Sequence, residues 1–114
     1  MKANELRIGN KVSIDDRETT VTNGIVFDYD EGAWYVNNIN VRIVQPISLT
    51  EDWLFKFGFE KKNGYGFEMF GNWIQKRENI YWYNLNGNFV ILKHVHQLQN
   101  LYFALTQKEL ICSN

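Results

Sequence analysis

The stretch Ile80-Tyr81-Trp82-Tyr83-Asn84-Leu85-Asn86-Gly87-Asn88-Phe89-Val90-Ile91-Leu92 holds two runs rich in β-branched and aromatic residues, 80–84 and 89–92, on either side of Asn86-Gly87. Asn and Gly both tolerate positive φ, so the pair closes a tight hairpin between two strands. Along the first run, strand alternation puts Ile80 and Trp82 on one face and Tyr81 and Tyr83 on the other. Working backwards, 59–62, 65–70 and 73–77 read as three more strands, with turns at Asn63-Gly64, Gly71-Asn72 and Glu78-Asn79. Working forwards, Val95, Leu98, Leu101, Tyr102 and Leu105 recur at steps of three and four. That spacing predicts a helix over 94–106 whose apolar face covers one face of an antiparallel meander.

Upstream lies a second helix with its ends written in the sequence. Thr50 is a good N-cap, because its hydroxyl can accept an orphan backbone N–H. Glu51 and Asp52 follow in the first turn, where the positive end of the helix dipole favours them. Leu49 and Leu54 are spaced as a hydrophobic staple, and Gly58 suits the left-handed residue that ends a helix. Before Pro46, five short strands are expected at 11–15, 19–22, 25–29, 33–36 and 40–44. They are separated by turns at Asp15-Asp16, Asn23-Gly24, 30–32 and Asn37-Asn38. Residues 1–6 can form one helical turn ahead of the Gly9-Asn10 turn. The whole is α+β: a small SH3-like curled β-meander, a short connecting helix, then an antiparallel β-meander covered by a C-terminal helix. It fits one compact domain, with 1–48 and 49–114 as two lobes.

The chain has 114 residues, 45% of them hydrophobic, enough for a core without staples. One cysteine, Cys112, rules out an internal disulfide. No apolar run is long enough for a membrane span, and the first ten residues lack the apolar core of a signal peptide. A cytosolic location is the expectation. Twelve basic and thirteen acidic residues leave a net charge of −1, without the basic excess that a general nucleic-acid binder uses against phosphates.

No motif for catalysis, cofactor or metal emerges. His94 and His96 lack a third ligand nearby and read as solvated residues at a strand-to-helix junction. Glu51 and Asp52 are neighbours on a helix, where side chains diverge by about 100°, so they do not share a proton. Asp28, Asp30 and Glu31 lack the spacing of a calcium loop and read as an acidic turn. Gly64, Gly66 and Gly71 precede no helix that could aim N–H groups at a phosphate. The protein is therefore expected not to be an enzyme.

Aromatic content is what remains. Eight Phe, six Tyr and four Trp make up 16% of the chain. One helix covers one face of a sheet, which leaves a second aromatic row with three uses. It can pack on the N-terminal lobe, anchor a protein partner, or stack unpaired bases, with Lys61, Lys62, Lys76, Arg77 and Lys93 near for phosphates. Residues 49–114 carry seven basic and six acidic side chains, a balance that disfavours single-stranded RNA or DNA. The expected partner surface is Tyr81 and Tyr83 with Trp73, and with Lys76 and Arg77 at the rim.

Three segments carry a resemblance: Met1-Lys2-Ala3-Asn4-Glu5-Leu6-Arg7-Ile8-Gly9-Asn10, Pro46-Ile47-Ser48-Leu49-Thr50-Glu51-Asp52-Trp53-Leu54-Phe55-Lys56-Phe57-Gly58-Phe59-Glu60, and His94-Val95-His96-Gln97-Leu98-Gln99-Asn100-Leu101-Tyr102-Phe103-Ala104-Leu105-Thr106. Together, about a third of the chain, they resemble a family of small uncharacterised proteins carried by phages, prophages and mobile elements of Bacteroidetes. Such proteins often have Gly after the final Thr, where this chain has Gln107. The resemblance implies a phage accessory protein. The function it implies first is an anti-CRISPR-type inhibitor that binds a host RNA-guided nuclease, a type VI-B effector among the candidates. A phage housekeeping module that binds another phage protein is the second expectation, and a single-stranded nucleic-acid binder the third.

Overall fold

In the computed structural model, which describes residues 6–28, 30–41 and 44–112, hairpins close through residue pairs that both have positive φ. Among the described residues these are Asp15-Asp16, Asn37-Asn38, Phe70-Gly71, Glu78-Asn79 and Asn86-Gly87. Two consecutive left-handed residues are the mark of the type I′ turn, whose twist matches that of the strands it joins. The strands are β1 (Lys11–Ile14), β2 (Arg17–Thr20), β3 (Ile25–Asp28), β4 (Ala33–Val36), β5 (Ile39–Val41) and β6 (Val44–Gln45), followed by helix α1 (Glu51–Phe57). Then come β7 (Glu60–Lys61), β8 (Gly66–Met69), β9 (Asn72–Arg77), β10 (Ile80–Leu85), β11 (Asn88–Leu92) and helix α2 (Val95–Thr106). The fold is α+β and mostly antiparallel.

The N-terminal strands differ from a simple five-stranded meander. They form two three-stranded sheets, β2-β1-β6 and β3-β4-β5, with β6 returning to pair beside β1. Asn23-Gly24 therefore links two sheets and closes no hairpin. Its neighbours Thr22 and Asn23 donate their backbone N–H groups to Asn37 Oδ1, at 2.6 and 2.9 Å. The expected turn at residues 1–6 falls largely outside the described residues, as do position 29 of the third strand and positions 42 and 43 of the fifth.

The C-terminal sheet runs β11-β10-β9-β8-β7 in order. Its β8–β9 turn is Phe70-Gly71, one residue before the expected position, so Asn72 opens β9. Helix α1 is built as its sequence suggests: Thr50 accepts from Trp53 N–H at 3.4 Å, and Gly58 closes the helix at φ 101°. At the start of α2, Gln97 Oε1 accepts the backbone N–H groups of Lys93 and His94, at 2.9 and 3.0 Å. Its far end is made left-handed by Gln107, φ 62°, whose N–H reaches Phe103 O at 2.8 Å. A glycine is not required there, although a non-glycine pays about 1 kcal/mol for that backbone.

Two clusters of buried side chains result. The larger joins Trp53, Leu54 and Phe57 of α1, Phe67, Ile74, Tyr81, Tyr83 and Leu92 of the sheet, and Val95, Leu98 and Tyr102 of α2. The smaller holds Val12, Ile14, Val21 and Val36. Leu105, expected on the apolar face of α2, is exposed instead. Polar groups join the two clusters. Gln99, buried on α2, accepts from Lys11 N–H at 2.8 Å and donates to Gly9 O at 3.0 Å. Asn100 Oδ1 accepts from Arg7 Nε and from Asn10 Nδ2, both at 2.9 Å.

Two substitutions test this packing by denaturant unfolding. Leu98→Ala removes a fully buried side chain and is expected to cost about 2–5 kcal/mol. Thr50→Ala removes only a cap and is expected to cost about 0.5–2 kcal/mol. Equal effects at the two sites would contradict the assignment of Leu98 to the core.

Candidate functional site

Register decides which aromatic row faces the helices. Tyr81 pairs with Lys76 and Leu92, and Tyr83 with Ile74 and Val90. These residues share the face against which α1 and α2 pack. Tyr81 is 4% exposed and Tyr83 1%. The expected partner surface is corrected accordingly: both tyrosines belong to the core. Tyr83 Oη donates to Asn72 Oδ1 at 2.6 Å, a partner on its own face of the sheet. Burial pushes the Tyr83 pKa up to about 12, with Tyr102 adding to the rise. Burial also raises that of Tyr81.

Lys76 goes with them. Its ammonium bonds Glu51 at 2.6 Å and lies 5.8 Å from the Tyr81 ring centre. The hydrogen bond between them lowers the Glu51 pKa and raises that of Lys76. Lys61 reaches the same carboxylate at 3.4 Å. Lys62 pairs with Glu60 and Glu68, at 3.0 and 3.8 Å. Three of the four lysines expected to meet phosphates, Lys61, Lys62 and Lys76, are thus ion-paired within the chain. Lys76 and Arg77, adjacent in sequence, point to opposite faces, as strand neighbours must.

The other face carries Trp73 and Arg77 of the expected set. It adds Gln75, Ile80, Trp82, Phe89 and Ile91, which sequence reasoning did not select as the surface. Gln75 lies opposite Trp82, and Trp82 opposite Ile91. Arg77 and Phe89 flank Trp82 on the diagonals, since Arg77 pairs with Ile80 and Phe89 with Asn84. Gln75, Arg77, Trp82 and Phe89 line a depression of about 230 Å³. Ile80, Phe89 and Ile91 are 43%, 47% and 46% exposed. Among the described residues no helix covers this face, because α1 and α2 both contribute to the cluster on the opposite side. Among the described residues the N-terminal lobe makes its polar contacts with α2, as given above. Among the described residues Arg77 forms no ion pair. A signal for this choice exists in the sequence. One row mixes Glu68, Gln75, Arg77 and Asn84 with its aromatics, whereas the other sets Phe67, Ile74 and Leu92 beside its tyrosines and carries Lys76 and Asn72 as its polar members.

The remaining polar clusters are local. His94 and His96 stack ring to ring at 5.7 Å. His96 is buried, which corrects its reading as solvated. Asp28 Oδ1 accepts the N–H groups of Asp30 and Glu31, at 2.9 and 3.2 Å, and so folds the acidic turn on itself. Among the described residues no three His, Cys, Asp or Glu side chains gather as a metal-ligand set. Nor is any described helix long and apolar enough to cross a membrane. No protein-family model matches the chain, and no curated protein or solved structure matches it.

The buried tyrosines give a pH test. Their folded-state pKa values lie above the ordinary value near 10. The stability they contribute is therefore complete below about pH 10 and is lost as pH rises through their raised values, for Tyr83 about 12. Ultraviolet titration is expected to show Tyr83 ionising only together with alkaline unfolding, and Tyr83→Phe to remove that late step. Ionisation of Tyr83 near pH 10 in the folded protein would contradict its placement.

Proposed function

We propose that this chain acts without catalysis, by binding another protein through the uncovered face of its β7–β11 sheet. The observation that carries this is the row Gln75-Trp82-Ile91 crossing three strands, with Phe89 and Arg77 on its diagonals. Large aromatics and arginine are the side chains that most often anchor protein interfaces. Fixed in strands, they lose little conformational freedom on binding. Arg77 is the cation at the edge of this apolar row, which suits a partner carboxylate set beside an apolar contact.

Charge placement argues against nucleic acid as the first partner. Phosphate binding draws its affinity from several unpaired Lys and Arg side chains. Here Lys61 and Lys76 are bound to Glu51, and Lys62 to Glu60 and Glu68. The resemblance to phage-borne proteins directs the proposal further, to an anti-CRISPR-like inhibitor of a host RNA-guided nuclease of type VI-B, acting in the bacterial cytosol. On this reading the N-terminal lobe, SH3-like in size, is a scaffold that buttresses α2.

The test measures binding of the intact chain to that nuclease, with and without guide RNA, and to free single-stranded RNA. Trp82→Ala/Phe89→Ala is expected to weaken nuclease binding by at least about thirtyfold, the equivalent of about 2 kcal/mol. Arg77→Ala should chiefly slow association. A folded double variant that binds unchanged would remove this face. Tight RNA binding that weakens steeply with salt would make the chain a nucleic-acid binder instead.

A further inference from the structure

The two edges of the C-terminal sheet are built differently. Strand β7 is two residues long, Glu60–Lys61, both charged and exposed. A short charged strand is a common way of preventing edge-to-edge pairing. Strand β11 is the opposite case: five residues, Asn-Phe-Val-Ile-Leu, with no charge and no proline. Its register with β10 is continuous over all five residues, so no bulge turns it away. The described residues place no strand on its outer side. Beside it runs a groove of about 530 Å³, between Val90 and Leu92 of the strand and His96, Gln97, Asn100 and Leu101 of α2.

We infer that β11 is the seam of a homodimer, in which two copies pair their β11 strands antiparallel about a twofold axis at Val90. Two observations favour a second copy over an unrelated strand. The first is charge: an uncharged strand meets its own copy without like charges facing each other, and the nearest charge, Lys93, lies outside the paired residues. The second is the pattern of side chains under that symmetry. Pairing about Val90 sets Phe89 opposite Ile91 of the second copy, and Asn88 opposite Leu92. Phe89 and Ile91 are both on the uncovered face, and antiparallel partners project to the same side. The row Gln75-Trp82-Ile91 therefore continues across the seam into Phe89 and Asn84 of the second copy, where two separate apolar edges would otherwise meet water. On the helix side the two Val90 side chains meet as a β-branched cross-strand pair, each at the mouth of the other's groove. The result is one ten-stranded sheet with an isologous joint. This inference does not rest on the proposed nuclease partner.

The seam is short, so dissociation is expected at about micromolar concentrations or above. Sedimentation equilibrium of the full chain across about 1–300 µM tests it. The expected mass rises from 13.5 kDa to twice that value, with little dependence on salt. Val90→Lys places two like charges on the axis and should hold the chain at monomer mass with its melting temperature kept. Trp82→Ala, off the seam, should dimerise as wild type does. Val90→Cys, in a Cys112→Ser background, sets two thiols opposite each other within disulfide reach and should give a covalent dimer on oxidation. Wild type that stays monomeric at the highest concentration would overturn the inference. So would a Val90→Lys variant that dimerises normally, or a dimer lost in Trp82→Ala but kept in Val90→Lys.

Discussion

Side chains on a strand alternate faces with a period of two, so the turns that set register also decide which aromatics the helices bury. Glu78-Asn79 and Asn86-Gly87, each with two left-handed residues, leave no slack on either side of β10. Tyr81 and Tyr83 are thereby bound to the row of Phe67, Ile74 and Leu92, the most apolar surface the sheet offers. A slip of one residue would bring Trp82 under the helices and expose two tyrosines. The core therefore reinforces what the turns dictate.

Once that parity is set, the rest of the layout follows from how few layers the chain possesses. Both helices are used on one side of the sheet. The N-terminal lobe could have supplied cover for the other side, but its polar joint is made to α2. Across that joint buried Gln99 bonds the backbone of Lys11 and Gly9, while Arg7 and buried Asn10 donate to Asn100. Buried amides of this kind impose orientation, because any other seating would leave them without partners. The molecule is accordingly elongated, 49 × 27 × 26 Å, and among the described residues Trp73, Ile80, Phe89 and Ile91 on one face of its larger sheet stay exposed.

Much of this was legible in the residues. Thr50, the Glu51-Asp52 pair and Gly58 mark α1 from end to end, since capping depends on local chemistry. Asp15-Asp16, Asn37-Asn38, Glu78-Asn79 and Asn86-Gly87 mark their turns for the same reason. Phe70-Gly71 was harder: Phe tolerates positive φ poorly, so Gly71-Asn72 is the more natural pair on sequence grounds. The joining of β6 to β1 depends on contacts distant in the chain, which no local pattern encodes. The site was half legible. That one aromatic row would be left over follows from counting helices. Choosing Tyr81 and Tyr83 for it weighed one strand alone, while the deciding signal lies in the neighbours, in Ile74 and Phe67 against Gln75, Arg77 and Glu68. Gln107, where the resemblance implies Gly, left the cap of α2 undecided, because nothing local announces that its backbone adopts the left-handed conformation all the same.

The account depends most on the parity of β10, and hydroxyl-radical footprinting of the free protein measures that parity side chain by side chain. At native pH and low dose, Trp82, Trp73 and Phe89 are expected to be labelled quickly. Tyr81, Tyr83, Phe67 and the core residue Trp53 should be protected until the protein unfolds. Faster labelling of Tyr81 and Tyr83 than of Trp82 and Trp73 in the folded state would contradict the account, because the other face of the sheet would then be the open one.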